Sequence, residues 1–173
     1  MNHVIREWTL EDLPAVQHVL LTTWLDAYVS FIPEDDLRTY FDQHYSLHAL
    51  QAMLHEAGFS GFLVEVDGTT AAVIRNRFDF REQRFYVSSL YVLPEYQGLG
   101  LGKELMRVAE ERALSYQVKE IWLGVMSENR PALDWYKGMG FRFVEEMPFT
   151  MGHTTVSHLI GFKKIRTSSP GVP

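Results

Sequence analysis

A glycine-rich stretch of this 173-residue chain has the spacing that most clearly indicates chemistry. It runs from Leu90 to Lys103 and reads LYVLPEYQGLGLGK. A strand is expected to stop at Pro94, and a helix to begin among the glycines. Glycines let a backbone turn and approach a ligand closely, and the free N–H groups in the first turn of a helix attract anions. The stretch therefore predicts a pyrophosphate site.

Two well-known phosphate loops do not fit this spacing. A P-loop would need glycine and then Ser or Thr where the chain has Gln97 and Glu104, and a Rossmann loop would need glycine in place of Lys103. A nucleotide-dependent kinase or dehydrogenase is disfavoured for that reason. What remains is Gln97, Gly100 and Gly102, spaced as Q-x-x-G-x-G.

A second pattern lies downstream in SENRPALDWYKGMGF, where Tyr136 follows Asn129 by seven residues. Seven residues of a helix turn through about 700°, within about 20° of two whole turns, and rise about 10.5 Å. One extended ligand could therefore touch both side chains. Two plainer readings stay open, because Asn129 would also be a good helix N-cap and Tyr136 a core aromatic residue.

These two patterns, in this order and with a hydrophobic strand before the first, resemble the GNAT superfamily of N-acetyltransferases. The resemblance implies direct acetyl transfer from acetyl-CoA to an amine, with Tyr136 protonating the departing thiol. It also implies that the backbone of Leu90, Tyr91 and Val92 pairs with the pantetheine arm. The other implied coenzyme contacts are Gln97, Gly98, Leu99, Gly100, Leu101, Gly102, Lys103, Asn129 and Tyr136.

One departure from the family pattern leaves the base open. Many GNAT enzymes carry a glutamate on the strand before the glycine loop, whereas this strand reads FYVSSLYV, with Tyr86, Ser88 and Ser89 at the corresponding positions. A water chain to backbone carbonyls and an N-terminal acid remain as alternatives.

Charge distribution indicates the acceptor. Residues 1–57 carry nine acids against two bases, whereas the remainder carries 13 acids and 14 bases. The segments TTWLDAYVSFIPEDDLRTYF and FRFVEEMPFTMGHTTVSHLIGFKKI resemble the PaiA-type polyamine acetyltransferases. Together these observations predict a small-molecule amine, such as a polyamine, held by Asp26, Glu34, Asp35 and Asp36. Acidic helix faces that merely keep the protein soluble, a peptide or protein amine, and a non-catalytic acyl-CoA sensor remain as alternatives.

The elements that must position these residues follow from the hydrophobic pattern. We expect strands at residues 4–8, 59–66, 70–78, 83–93, 121–125, 141–147 and 155–164, and helices after Thr9, after Pro33, over 47–57, after Gly100 and after Asn129. Hairpins combined with strand–helix alternation predict an α/β fold of three layers, with a mixed, mostly antiparallel sheet flanked by helices. We expect one N-acetyltransferase domain at 1–166 and a disordered tail at 167–173.

Composition excludes several other classes. A net charge of −6 argues against nucleic-acid binding, and the absence of cysteine excludes a thiolate nucleophile and fits a reducing compartment. No apolar run is long enough to span a membrane, so we expect a cytoplasmic protein. His44 and His48 are four residues apart but lack an HExxH pattern, so we predict no metal site. The choice between a monomer and a homodimer stays open.

Overall fold

Seven strands form one sheet in the computed structural model, which describes residues 2–166. In chain order they are β1 His3–Glu7, β2 Phe59–Val66, β3 Thr69–Asp79, β4 Arg84–Val92, β5 Glu120–Met126, β6 Arg142–Met151 and β7 Thr154–Lys164. The α-helices of the same residues are α1 Leu13–Tyr28, α2 Glu34–His44, α3 Leu47–Met53, α4 Leu101–Ser115 and α5 Arg130–Gly138. The tail expected at 167–173 lies outside the described residues.

The strand order across the sheet is β1-β2-β3-β4-β5-β7-β6, and every neighbouring pair is antiparallel except β4 with β5. Helices α4 and α5 cover one face around Leu105 and Leu133. Helices α1, α2 and α3 cover the other face around Leu20, Leu37 and Leu50. The predicted class, an α/β fold with a mixed, mostly antiparallel sheet flanked by helices, is confirmed.

Helix α4 has a buried stripe that fixes its direction. Leu101, Leu105 and Ala109 recur at four-residue spacing, and all three are buried against the sheet. Full burial of a leucine side chain stabilises a protein by about 1.5–3 kcal/mol. This packing holds the first turn of α4 beside the end of β4, so the free N–H groups of that turn occupy a fixed place.

Helix α3 is shorter than the hydrophobic pattern predicts. The expected range was 47–57, but the helix ends at Met53, where the Leu54 N–H donates to the carbonyl of Gln51 in a tighter turn. Gly58, with φ of 83°, then turns the chain into β2.

Strand β6 is longer than predicted, because it continues past Met147 and through Pro148 to Met151. Proline ends most strands since it has no N–H to donate. Here β6 is the outermost strand beside β7, and an edge position tolerates that loss.

The hydrogen bonds at the start of α1 predict how a substitution there changes the free energy of unfolding. The Arg6 guanidinium donates two hydrogen bonds to Asp12, at 2.7 and 2.8 Å, and Thr9 donates to the same carboxylate through its N–H and hydroxyl. Asp12→Asn should therefore lower the free energy of unfolding by about 1–2 kcal/mol, whereas Glu34→Gln, in an exposed pair with Arg38, should cost less than about 0.5 kcal/mol. Urea unfolding measures both, and equal losses would contradict the assignment.

The same contacts predict a pH dependence. The hydrogen bond from the Arg6 guanidinium lowers the pKa of Asp12 to about 2, below the value near 3.8 of a free aspartate. A carboxyl whose folded pKa is lowered adds stability above its unfolded pKa and loses it as pH falls towards the folded pKa. The difference in the free energy of unfolding between the parent protein and Asp12→Asn should therefore become smaller below about pH 4.

Candidate active site

Strands β4 and β5 separate and open a cleft at the middle of the sheet. They pair only where Phe85 lies opposite Ile121 and Tyr86 opposite Trp122. A β-bulge follows at Ser88, which has no partner on β3. The resulting cleft has a volume of about 840 Å³ and is lined by α1, β4, the glycine-rich turn, β5 and α5.

The backbone of β4 presents polar groups to this cleft. The Leu93 N–H donates to the carbonyl of Ala71 on β3 at 2.9 Å. Because successive residues of a strand direct their N–H and C=O groups to opposite sides, Tyr91 bonds towards β3, whereas Leu90 and Val92 point into the gap. Of the three residues predicted to pair with pantetheine, two therefore direct an N–H into the gap, and the carbonyl of Val92 accepts from the Gln97 side chain.

The glycine-rich turn forms an open cradle at one end of the cleft. Gly98 and Gly100 have φ values of 80° and 85°, and an added Cβ at either position would meet nothing within 4 Å. The backbone N–H groups of residues 98–102 donate no hydrogen bond to any other described residue. Several free N–H groups beside a helix N-terminus form an anion site, and Lys103 lines the same end of the cleft.

Gln97 and Asn129 hold the two segments that border the cleft. The Gln97 amide donates to the Val92 carbonyl at 3.2 Å and so ties the glycine-rich turn to the end of β4. The Asn129 side chain accepts from the Ala132 N–H at 3.4 Å and caps α5. Both residues also line the cleft, so the capping and cleft-facing roles of Asn129 coexist.

Tyr136 lines the cleft from α5. The side chain is 8% exposed, and its hydroxyl makes no hydrogen bond to another described residue. Burial, with a smaller effect from nearby Tyr91, raises the pKa of Tyr136 above its ordinary value of 10. The phenol therefore keeps its proton at neutral pH and can donate it to a group bound in the cleft.

Two contacts of the cleft were missed by the sequence analysis. The hydroxyl groups of Tyr28 and Tyr91 are 2.9 Å apart and join α1 to β4, and burial raises the pKa of Tyr28 to about 12. Trp135 lines the cleft and packs on Gly102, where an added Cβ would lie 3.2 Å from the indole. Neither contact has a signal in the sequence, because each joins segments that are far apart along the chain.

The predicted acceptor acids are not gathered in one place. Asp26 lines the cleft from α1. Glu34 pairs with Arg38 at 2.7 Å, and Asp35 is exposed on α2. Asp36 accepts from the backbone N–H of His153 and the hydroxyl of Thr154, and these bonds lower its pKa. None of Glu34, Asp35 and Asp36 lines the cleft, and Asp36 instead fastens α2 to the turn between β6 and β7.

The remaining sequence predictions concern three residues of the glycine-rich turn, a metal site and a membrane span. Leu99 is 46% exposed and its side chain does not line the cleft, whereas Leu101 and Gly102 do. Within residues 2–166, no three His, Asp or Glu side chains are grouped to hold a metal ion. The helices of that part of the chain include none long and apolar enough to cross a membrane.

The described site fits a long, anion-bearing ligand. Free N–H groups at the cradle suit a pyrophosphate, and the unpaired edge of β4 suits the amide groups of a pantetheine arm. Tyr136 lines the same cleft as the cradle and the β4 edge. A split sheet, a cradle of free N–H groups and a protonated phenol on one cleft are the features that acyl-CoA-dependent acyl transfer requires.

Comparison with known proteins agrees with this class. The model of the acetyltransferase (GNAT) family matches residues 19–141. An uncharacterized N-acetyltransferase of Lactobacillus delbrueckii subsp. lactis is 23% identical, over 82% of this chain and 86% of that protein. A spermine/spermidine N(1)-acetyltransferase of Bacillus subtilis is 29% identical over 47% of this chain and 54% of its own. The crystal structure of the PaiA N-acetyltransferase from Thermoplasma acidophilum with coenzyme A superposes with a TM-score of 0.82 at 21% identity, over 95% and 99% of the two chains.

The chain therefore belongs to the GNAT acetyltransferase family. The predicted enzyme class, an acetyl-CoA-dependent N-acetyltransferase, is confirmed by the family match and by the relatives.

Proposed function

We propose that the protein transfers the acetyl group of acetyl-CoA directly to a primary amine, with both substrates bound in the cleft between β4 and β5. The observation that carries the proposal is the cradle of free N–H groups at residues 98–102 on the same cleft as Tyr136. These residues would hold the pyrophosphate, and the β4 edge at Leu90 and Val92 would hold the pantetheine. Bound in this way, acetyl-CoA would supply an electrophilic thioester carbonyl within the cleft.

The chain's own residues then carry the proton transfers. Tyr136 stays protonated, so its hydroxyl can give a proton to the sulfur as the thiolate leaves. The Leu90 N–H, nearer the bulge of β4, also points into the gap and can stabilise the developing oxyanion. Holding the amine and the thioester in one cleft supplies much of the remaining rate.

The acceptor we propose is a cationic amine, such as a polyamine. Asp26 and Glu128 are exposed carboxylates on the lining of the cleft, and they can attract a second positive charge on the substrate. Residues 1–57, which include α1 and α2, carry the excess of acids, whereas the cradle side does not. The Bacillus subtilis relative acts on spermine and spermidine, which supports the same choice.

Substitution of Asp26 tests the acceptor. Asp26→Asn should lower kcat/KM for spermidine by a factor of about 2–5, because an exposed ion pair contributes about 0.2–1 kcal/mol. The same variant should barely affect a monoamine with a neutral body, and the loss should shrink at high salt. Asp35→Asn is the matched control, since Asp35 lies outside the cleft.

A panel of spermidine, the monoamine and a peptide amine at low and high salt measures this effect. Equal kcat/KM values for spermidine and the monoamine, with no salt dependence for either, would contradict the proposed cation site. The wider proposal of amine acetylation would then stand or fall on turnover alone.

A further inference from the structure

The described cleft lacks a carboxylate at the position where a base is needed. Strand β4 carries Ser88 and Ser89 there, and the carboxylates that line the described cleft are Asp26 and Glu128, both exposed to solvent. An imidazole, whose ordinary pKa is near 6.5, is a better proton acceptor for an alkyl ammonium than a carboxylate, whose ordinary pKa is near 4. We therefore considered other basic groups next to the cleft.

His158 is not itself a lining residue of the cleft, but its ring packs over Gly124, which is. An added Cβ on Gly124 would lie 2.4 Å from Cε1 and 2.5 Å from Nε2 of His158, so the imidazole occupies the space that only a glycine leaves open. Gly124 itself lines the cleft and is exposed. It is the second residue on β5 after Trp122, the last residue that pairs with β4, so the ring lies close to the point where the strands separate.

The surroundings of the ring disfavour its charged form. Phe149 on β6 lies with its ring centroid 5.1 Å from that of His158, and Ile160 lies beside it on β7. Burial lowers the pKa of His158 below the ordinary value of 6.5. One ring nitrogen hydrogen-bonds the backbone of Gly124, and the imidazole makes no hydrogen bond or ion pair with a side chain of residues 2–166.

Few ionisable groups lie near the His158 imidazole on its face of the sheet. From α2 these are Tyr40, whose ring lies 5.6 Å from Phe149, and His44, which packs on Tyr40. From β6 it is Glu145, which pairs with Ile160, two positions along β7 from His158. From β5 the neighbours are Gly124 and Met126, neither of which titrates. No opposite charge in this set pairs with the imidazole.

We propose that His158 is the proton acceptor for the acceptor amine, an inference that rests on the proposed acetyl transfer. Its unprotonated ring nitrogen takes one proton from the ammonium, and the freed nitrogen lone pair attacks the thioester carbonyl. The new C–N bond forms, the C–S bond breaks, and the thiolate takes the proton of Tyr136. The nitrogen gives its second proton back to the Tyr136 phenolate through water, and imidazolium releases the first proton to solvent. The acetyl amide, free thiol and one proton are the products.

The test is His158→Gln, which keeps a hydrogen-bonding side chain but cannot take up a proton. At neutral pH this variant should lose about 10² or more in kcat/KM for the best amine, while its affinity for acetyl-CoA stays unchanged. His153→Gln is the matched control, because His153 lies in the turn between β6 and β7 and is exposed. Its kcat/KM should equal that of the parent protein.

The pH profile separates a proton acceptor from a structural role. With His158 as base, kcat/KM should rise with pH to a plateau, and the midpoint of the rise should lie below pH 6.5 because the pKa of His158 is lowered. Without it the enzyme must capture the rare neutral amine, so kcat/KM of His158→Gln should rise tenfold per pH unit and approach the parent value near the amine pKa of about 10.

Each outcome decides one question. A pH-independent loss in His158→Gln, or no loss at all while the parent protein turns over, would overturn the role of His158. Absence of turnover by the parent protein with every amine would instead overturn the proposed function.

Gly124→Ala, which pushes the His158 ring aside, gives a second test. It should lower kcat/KM much less in the His158→Gln background than in the parent protein, and equal losses in both would also contradict the role of His158.

Discussion

Tyr136→Phe should lower kcat by a factor on the order of 10²–10⁴ while leaving the affinity for acetyl-CoA unchanged. The substitution removes one oxygen atom from a ring that is buried and packed against Phe141 and Trp135, so the packing should survive. The hydroxyl makes no hydrogen bond to another described residue, so its loss leaves no partner unsatisfied. What it removes is the proton for the departing thiolate.

Tyr116→Phe is the matched control, because Tyr116 is a partly buried tyrosine that stacks on Phe78 and does not line the cleft. Its turnover should equal that of the parent protein. Steady-state rates of thiol release, with acetyl-CoA affinity from calorimetry, measure both variants. Turnover of Tyr136→Phe that matches the parent with an active amine would remove Tyr136 from the mechanism.

Gly100→Val should abolish the stabilisation of the protein by acetyl-CoA. A ligand at a hundred times its Kd stabilises the folded state by about 2.7 kcal/mol, which raises the Tm of a protein of this size by roughly 5–10 °C. In Gly100→Val the side chain would enter the open space of the cradle and strain a backbone whose φ is 85°. The shift should therefore vanish.

Gly68→Val separates loss of binding from loss of stability. Gly68 lies in the turn between β2 and β3 with φ of 86°, and an added Cβ there also meets nothing within 4 Å. Both variants should lose a similar amount of intrinsic stability, but only Gly68→Val should keep the full shift in Tm with acetyl-CoA. An equal shift in Gly100→Val would show that the glycine-rich turn does not hold the coenzyme.

The sequence was most informative where function depends on local spacing. The cradle needs glycines at Gly98 and Gly100 just before a helix, and the spacing of Asn129 and Tyr136 is set by one short helix. Such patterns are visible within a dozen residues. The fold class followed in the same way, because strands and helices have different hydrophobic periods.

The remaining parts of the site depend on contacts between distant segments. The bond between Tyr28 and Tyr91 joins residues 63 positions apart, and His158 reaches Gly124 only through the pairing of β5 with β7. The excess of acids in residues 1–57 also did not show which of them line the cleft. Asp36, for example, is bound to the turn between β6 and β7 instead. Neither strand register nor such a contact has a local signature.

The measurement that tests the account most directly is turnover with a panel of primary amines. Free thiol and acetylated amine are quantified together after incubation with acetyl-CoA. Direct transfer in the cleft predicts that both products appear in equal amounts, catalytically, and that Tyr136→Phe suppresses both. A protein that binds acetyl-CoA but releases no thiol with any amine would contradict the account and would instead be an acyl-CoA sensor.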